Sequence, residues 1–163
     1  MVLRACEALS RASEDVVMAF DDLLVSANIS ASGMTAERLR MEVIANNVAN
    51  ALSTRTPAGG PYRRQDVLFE TIMRDQITGG TAAGSTAGGV RVVGVRDDPS
   101  ELPRIHDPGH PDADSDGFVT MPNVSLPIEM VNLMTASRAY EANLKVLQTL
   151  RQQLEQTLTL LKY

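Results

Sequence analysis

Apolar residues recur at steps of three and four towards both ends of the chain and lose that period in between. Leu133, Ala136, Tyr140, Leu144, Leu147, Leu150, Leu154, Leu158 and Leu161 alternate three- and four-residue steps, which places all nine on one side of an α-helix. The opposite side carries Arg138, Glu141, Lys145, Gln148, Gln152, Glu155 and Lys162, with Glu141 and Lys145 in the favourable i, i+4 order. Pro127 suits a first helical turn, where its missing N–H costs nothing, and neither Gly nor Pro follows it. The pattern predicts one long helix over 125–163, roughly 50 Å at about 1.5 Å per residue. A narrow leucine seam of that length calls for a partner helix.

A second seam lies near the amino terminus. Leu24, Ala27, Ala31, Met34, Arg38, Met41, Ala45, Val48 and Leu52 step by three and four and predict a helix over 22–52. Arg38 alone interrupts it, and its stem can pack while its head reaches outward. Met34 and Met41 are adaptable fillers. The two seams can pair with each other or with copies of themselves in an assembly. Residues 1–21 read as a helical amino-terminal extension with Ala5, Leu9, Ala12 and Val16 on one face. Arg4, Glu7, Arg11, Glu14 and Asp15 break any apolar run there, which argues against a cleaved secretory signal. Asn46, Asn47 and Asn50 crowd the end of the first long helix. Asparagine terminates helices well, so they read either as a fraying end or as a hydrogen-bonded junction that fixes how the chain leaves the helix.

Between the helices, 53–124 predicts loop and a small β-rich insert. Residues 53–61 are dominated by Ser, Thr, Pro and Gly. Residues 62–77 hold Val67, Leu68, Phe69, Ile72 and Met73, fitting a strand that enters a short helix. Residues 78–89 are a Gly/Ala/Ser/Thr loop without the lysine of a phosphate-binding loop. Residues 90–95 are valine-rich, as strands are, and 102–106 and 118–121 are short strand candidates. Pro99, Pro103, Pro108, Pro111 and Pro122 exclude a helix here. The fold class is therefore mainly α with a small β-rich insert, its long terminal helices forming a coiled-coil-like pair in an elongated molecule.

Composition narrows the function classes. Over 163 residues the net charge is −5 with the signs interspersed, so no basic patch for nucleic acid is present. Trp is absent and aromatics are few, which argues against a large dense core. The single Cys6 excludes an intramolecular disulfide. No apolar run reaches the length of a membrane span, so no stable membrane insertion is expected. Asp112, Asp114, Asp116 and Gly117 match the first half of a calcium loop. The bidentate Glu is missing, since Asn123 stands in its place, and the flanking prolines deny the helices. His106 and His110 lie near Asp107 and Asp112 but lack further ligands at metal-site spacing. No nucleophile–base pair stands out, so neither a catalytic residue nor a cofactor is expected.

The stretch Ile29-Ser30-Ala31-Ser32-Gly33-Met34-Thr35-Ala36-Glu37-Arg38-Leu39-Arg40-Met41, with Ala45-Asn46-Asn47-Val48-Ala49-Asn50 after it, resembles the amino-terminal signature of bacterial flagellar rod and hook proteins. Asp107-Pro108-Gly109-His110-Pro111-Asp112-Ala113-Asp114, Gly117-Phe118-Val119 and Met121-Pro122-Asn123-Val124 resemble the middle of proximal rod members. Glu129-Met130-Val131 and Ala136-Ser137-Arg138-Ala139-Tyr140-Glu141-Ala142-Asn143 resemble their carboxy-terminal helix.

The resemblance implies a structural subunit of the proximal rod, the drive shaft that crosses the periplasm and encloses the export channel. It would assemble with copies of itself and other rod proteins, after export by the flagellar type III apparatus without a cleaved signal. The Asp107–Pro111 turn would then be an intersubunit contact. One departure is the residues ahead of Met18, where the family usually starts, either a real extension or an upstream misassigned start. Two other readings are kept: another axial rod subunit, and a calcium-binding module on the Asp112 loop. The short insert argues against the hook protein, whose outer domains are larger.

Overall fold

The computed structural model describes residues 2–57, 59–74 and 86–160, with side chains described over 23–57, 59–72 and 88–159. Two helices dominate: α1, Val2–Ala49, and α2, Leu126–Leu160. Between them lie strands β1 (Gln65–Arg74), β2 (Thr86–Asp97), β3 (Arg104–His106) and β4 (Phe118–Thr120). The extension expected over 1–21 and the helix expected over 22–52 run as one helix. It stops at Ala49, short of Leu52, because Asn50 turns the chain. Both its backbone N–H and its side-chain Nδ2 donate to the Asn46 carbonyl, at 3.1 and 3.0 Å. Ser53 then donates to Asn50 Oδ1 at 3.1 Å. The faces assigned to Ala5, Leu9, Ala12, Val16 and Leu161 lie outside the described side chains.

α1 and α2 pack side by side and antiparallel. Asn47 meets Glu129 near the base, and fourteen residues along each helix Gly33 meets Asn143. A Cβ on Gly33 would sit 2.9 Å from Asn143 Nδ2. That close approach accounts for a glycine in a helix interior, where it costs about 1 kcal/mol relative to Ala.

The stripe of α1 that packs inward is not the one apolar counting selects. Ser30, Ala36, Val43, Ile44, Asn47 and Ala51 are buried. Leu24, Ala31, Arg38, Ala45 and Leu52, seven residues apart, are exposed, and Ala27, Met34, Met41 and Val48 are half-buried. The inward stripe includes the polar Ser30 and Asn47, which a purely apolar count passes over. On α2, Glu129 and Ala136 are buried, and Asn132, Tyr140, Asn143, Leu147, Leu150 and Leu154 are half-buried. Leu133, Leu144 and Leu158 of the expected seam are exposed. The i, i+4 pair expected at Glu141–Lys145 does not form: Glu141 accepts from Ser137 Oγ at 3.4 Å. Arg151–Glu155 forms such a pair instead, at 2.9 Å.

β1 and β2 form an antiparallel ribbon from Gln65↔Asp97 to Arg74↔Thr86, with register shifts at Leu68/Phe69 and Ile72/Met73. The short helix expected to follow the first strand is thus absent as far as Arg74. Residues 75–85, the end of that segment and the first part of the loop expected over 78–89, lie outside the described residues, and 86–89 belong to β2. The ribbon packs along α1. β3 and β4 make a second small ladder, Arg104↔Thr120 to His106↔Phe118. Val119 is its buried residue.

Candidate functional site: a buried polar junction under the helical pair

Five segments converge where α1 ends: its last turn, the start of β1, the residues after β2, the loop before α2, and the first turn of α2. Asn47 is fully buried and uses all of its hydrogen-bonding capacity. Its Nδ2 donates to the Gln65 carbonyl at 2.8 Å and to Glu129 Oε2 at 3.1 Å. Its Oδ1 accepts from Gln65 N at 2.9 Å and from the Tyr62 hydroxyl at 2.9 Å. Asn47 therefore binds β1 as another strand would, through both backbone groups of one residue.

Glu129, also fully buried, accepts from Arg64 Nε at 2.8 Å and from Asn132 Nδ2 at 3.4 Å. Its place in the first turn of α2 sets the carboxylate against the positive end of the helix dipole. Arg64 Nη1 also faces Asp98 at 3.6 Å and Asp66 at 3.8 Å. A buried charge is costly unless it is paired and hydrogen-bonded, and here both conditions are met. Asn123 closes the ring: its Oδ1 accepts from Arg64 N at 2.8 Å and its Nδ2 donates to Ser100 Oγ at 2.8 Å.

The titration of these groups follows their surroundings. Burial would lower the Arg64 pKa, but the Glu129 hydrogen bond and the charges of Glu129, Asp66 and Asp98 outweigh it and hold the guanidinium above its ordinary value. Burial, then the charges of Asp97 and Glu129, push the Tyr62 phenol up. Asp98 is held below the ordinary carboxylate range, first by the Ser100 N–H.

Of the motif residues singled out in sequence, the structure brings Asn47 into this junction, places Asn50 at the helix end and sets Asn143 against Gly33. Asn46 is exposed, Tyr140 is half-buried on α2 and Glu141 is exposed. Asp107, Pro108, His110 and Pro111 stand apart in a turn. There Asp107 Oδ1 accepts from Gly109 N at 3.2 Å, and His110 Nδ1 accepts from Asp112 N at 3.1 Å. The carboxylates of the half calcium loop point to other partners. Asp112 accepts from Thr54 Oγ1 at 2.8 Å and lies 3.7 Å from Arg55, while Asp114 binds Arg104 at 2.8 Å. Among the described residues no three of His, Cys, Asp and Glu gather as a metal cage, and no helix is long and apolar enough to cross a membrane.

Tyr62, Arg64, Gln65 and Asn123 were missed as site residues. Glu129 left a signal: it stands one heptad before Ala136 on the inward face of α2, an acid in phase with a buried stripe.

Two long antiparallel helices locked at the base by Asn47 and Glu129 have the form of an extended structural subunit. The family model for flagella basal body rod protein matches residues 25–54, and that for the flagellar basal body rod FlgEFG protein C-terminal region matches residues 115–160. The chain is 40% identical to the flagellar basal-body rod protein FlgC of Borreliella burgdorferi, covering 86% of this chain and 98% of that protein. It is 41% identical to FlgC of Escherichia coli (85% and 97%) and 39% identical to FlgC of Bacillus subtilis (72% and 84%). The chain belongs to the FlgC family of flagellar basal-body rod proteins. It is a structural subunit of the proximal rod and not an enzyme.

Proposed function

We propose that this subunit builds part of the drive shaft that passes torque outward from the motor and surrounds the export channel, held in place by copies of itself and other rod proteins. The observation that carries this reading is apolar surface left outside the α1–α2 contact. Leu126, Ile128, Met130, Val131, Leu133 and Met134 are all exposed, and no charged residue other than the buried Glu129 occurs from Ser125 to Ser137. A helix that is apolar nearly all round is buried in its working state. The positions Leu24, Met34, Met41 and Val48 of α1, and Leu133, Tyr140, Leu144, Leu147, Leu150, Leu154 and Leu158 of α2, act as the assembly seam. There the terminal helices form coiled-coil-like pairs in an inner tube. The Asp107–Pro111 turn is an outer contact between subunits. The chain reaches the rod across the periplasm through the flagellar type III export apparatus, without a cleaved signal peptide.

The test is Leu147→Asp, scored for export, for rods in isolated basal bodies and for swimming. Losing the leucine costs about 2–5 kcal/mol once it is buried, and the defect repeats at every copy. Rods should be absent while the subunit is still exported. Lys145→Asp, on the exposed side of α2, should leave rods and swimming intact. Complete rods from Leu147→Asp, or equal damage from Lys145→Asp, would overturn the assignment of the seam.

A further inference from the structure

Among the described residues, hydrogen bonds join the β1–β2 ribbon to α1 at two separate places. At the base, Asn47 holds both backbone groups of Gln65. Higher up, Ser32 Oγ accepts from Val90 N at 3.1 Å while donating to the Ile29 carbonyl at 2.7 Å. Gly89 makes the upper contact possible. It has φ +127°, in the region that favours glycine, and a Cβ there would lie 2.5 Å from Ser32 Oγ.

The two anchors are matched in spacing. From Ser32 to Asn47 α1 rises about 22 Å at 1.5 Å per residue. From Gln65 to Thr71, the residue paired with Val90, β1 extends about 20 Å. Strand and helix thus run alongside each other between two fixed points. A ribbon held at one point can swing about it, whereas two points resist both swinging and twisting. A lone two-stranded ribbon is marginal in water, and this one leaves Leu68, Val93 and Val95 exposed, so its orientation depends on what it is fastened to.

We infer that the Ser32–Val90 contact is a torque-carrying pin: together with Asn47–Gln65 it makes the ribbon and α1 one stiff unit, through which twisting force passes between the helical pair and the ribbon. The inference rests on the drive-shaft reading.

The test compares Ser32→Ala, which removes the acceptor, with Ser32→Thr, which keeps it. In the purified full-length chain, amide exchange at Val90 should rise about tenfold in Ser32→Ala, with Gln65 unchanged and Ser32→Thr close to the original. In cells whose own rod subunit is replaced by each variant, Ser32→Ala should swim normally in dilute medium and fail in viscous medium, with Ser32→Thr swimming in both. Unchanged exchange at Val90 would overturn the pin. So would faster exchange with undiminished swimming under load, or swimming lost equally at both viscosities, which would make the contact a requirement for building the rod. If the unaltered chain fails to support swimming, the drive-shaft reading falls, and the torque-carrying role of the pin with it. The exchange comparison still reports on the anchor itself.

Discussion

The base of the helical pair and its far half are held by opposite means. At the base, Asn47 and Glu129 are wholly enclosed, and each polar atom finds a partner inside the same chain. Beyond Gly33 and Asn143 the contact depends on Leu147, Leu150 and Leu154, all half-buried, and Leu144 and Leu158 remain exposed. The polar junction at the base is complete within the molecule, whereas the far half, like the outer face carrying Leu126, Ile128, Met130, Val131, Leu133 and Met134, has apolar surface that only a neighbour can cover. Burial of apolar surface contributes about 25 cal/mol per Å², so both surfaces gain stability on assembly, and the far half, held by half-buried leucines, starts with the weaker internal contact. A subunit made this way carries a defined end into the rod and leaves its shaft to be shaped by the contacts it meets.

The largest effect is expected at Asn47. Asn47→Ala strips partners from Tyr62, from both backbone groups of Gln65 and from Glu129, and should cost about 2–4 kcal/mol, the penalty for buried groups left unsatisfied. Asn46→Ala, one residue away but exposed, should change stability by no more than about 0.5 kcal/mol. Urea titration of the two purified variants separates them. Equal effects would mean that the junction does not hold the base.

A smaller effect is expected from alkali. The Tyr62 phenol is raised in the folded chain by burial and by the charges of Asp97 and Glu129. A raised pKa contributes stability that is fully present below the ordinary phenol value of about 10. It is lost as pH climbs from there through the folded value. The urea midpoint should therefore fall above about pH 10, as unfolding frees the phenol to ionise. Tyr62→Phe should start about 1 kcal/mol lower at neutral pH, from the lost hydrogen bond to Asn47, and then decline less steeply above pH 10. Parallel curves would show that Tyr62 does not couple the junction to pH.

The helices were legible in the sequence because a 3.6-residue period survives any detail of packing, as the leucine steps from 144 to 158 show. The inward face of α1 was not, because its stripe mixes Ala36, Val43 and Ile44 with Ser30 and Asn47, while a more regular apolar stripe lies alongside it. The asparagine cluster was visible as a group, but its members divide. Asn50 ends the helix, Asn47 builds the junction and Asn46 faces solvent. Which does which depends on a rotation of about 100° per residue relative to an α2 that begins some eighty residues later. Arg64 and Tyr62 sit in a segment without period, and the Arg64–Glu129 ion pair joins residues 65 apart in sequence, a distance that no spacing rule reads. Residues 62–77 looked like a strand leading into a helix because the register shifts at Leu68/Phe69 and Ile72/Met73 break the alternation of a plain strand.

Amide exchange on the purified chain, set beside the same chain in isolated rods, tests the contrast between the two halves most directly. Amides at residues 43–47, 65–67 and 130–136 should be protected to a similar degree in both. Amides of α2 beyond Asn143 should exchange on the order of a thousandfold faster in the free chain than in the rod, because isolated helical segments are marginal in water. Protection as strong in the free chain beyond Asn143 as at the base would contradict a shaft completed only by its neighbours. Loss of protection at the base in the free chain would contradict a junction that holds on its own.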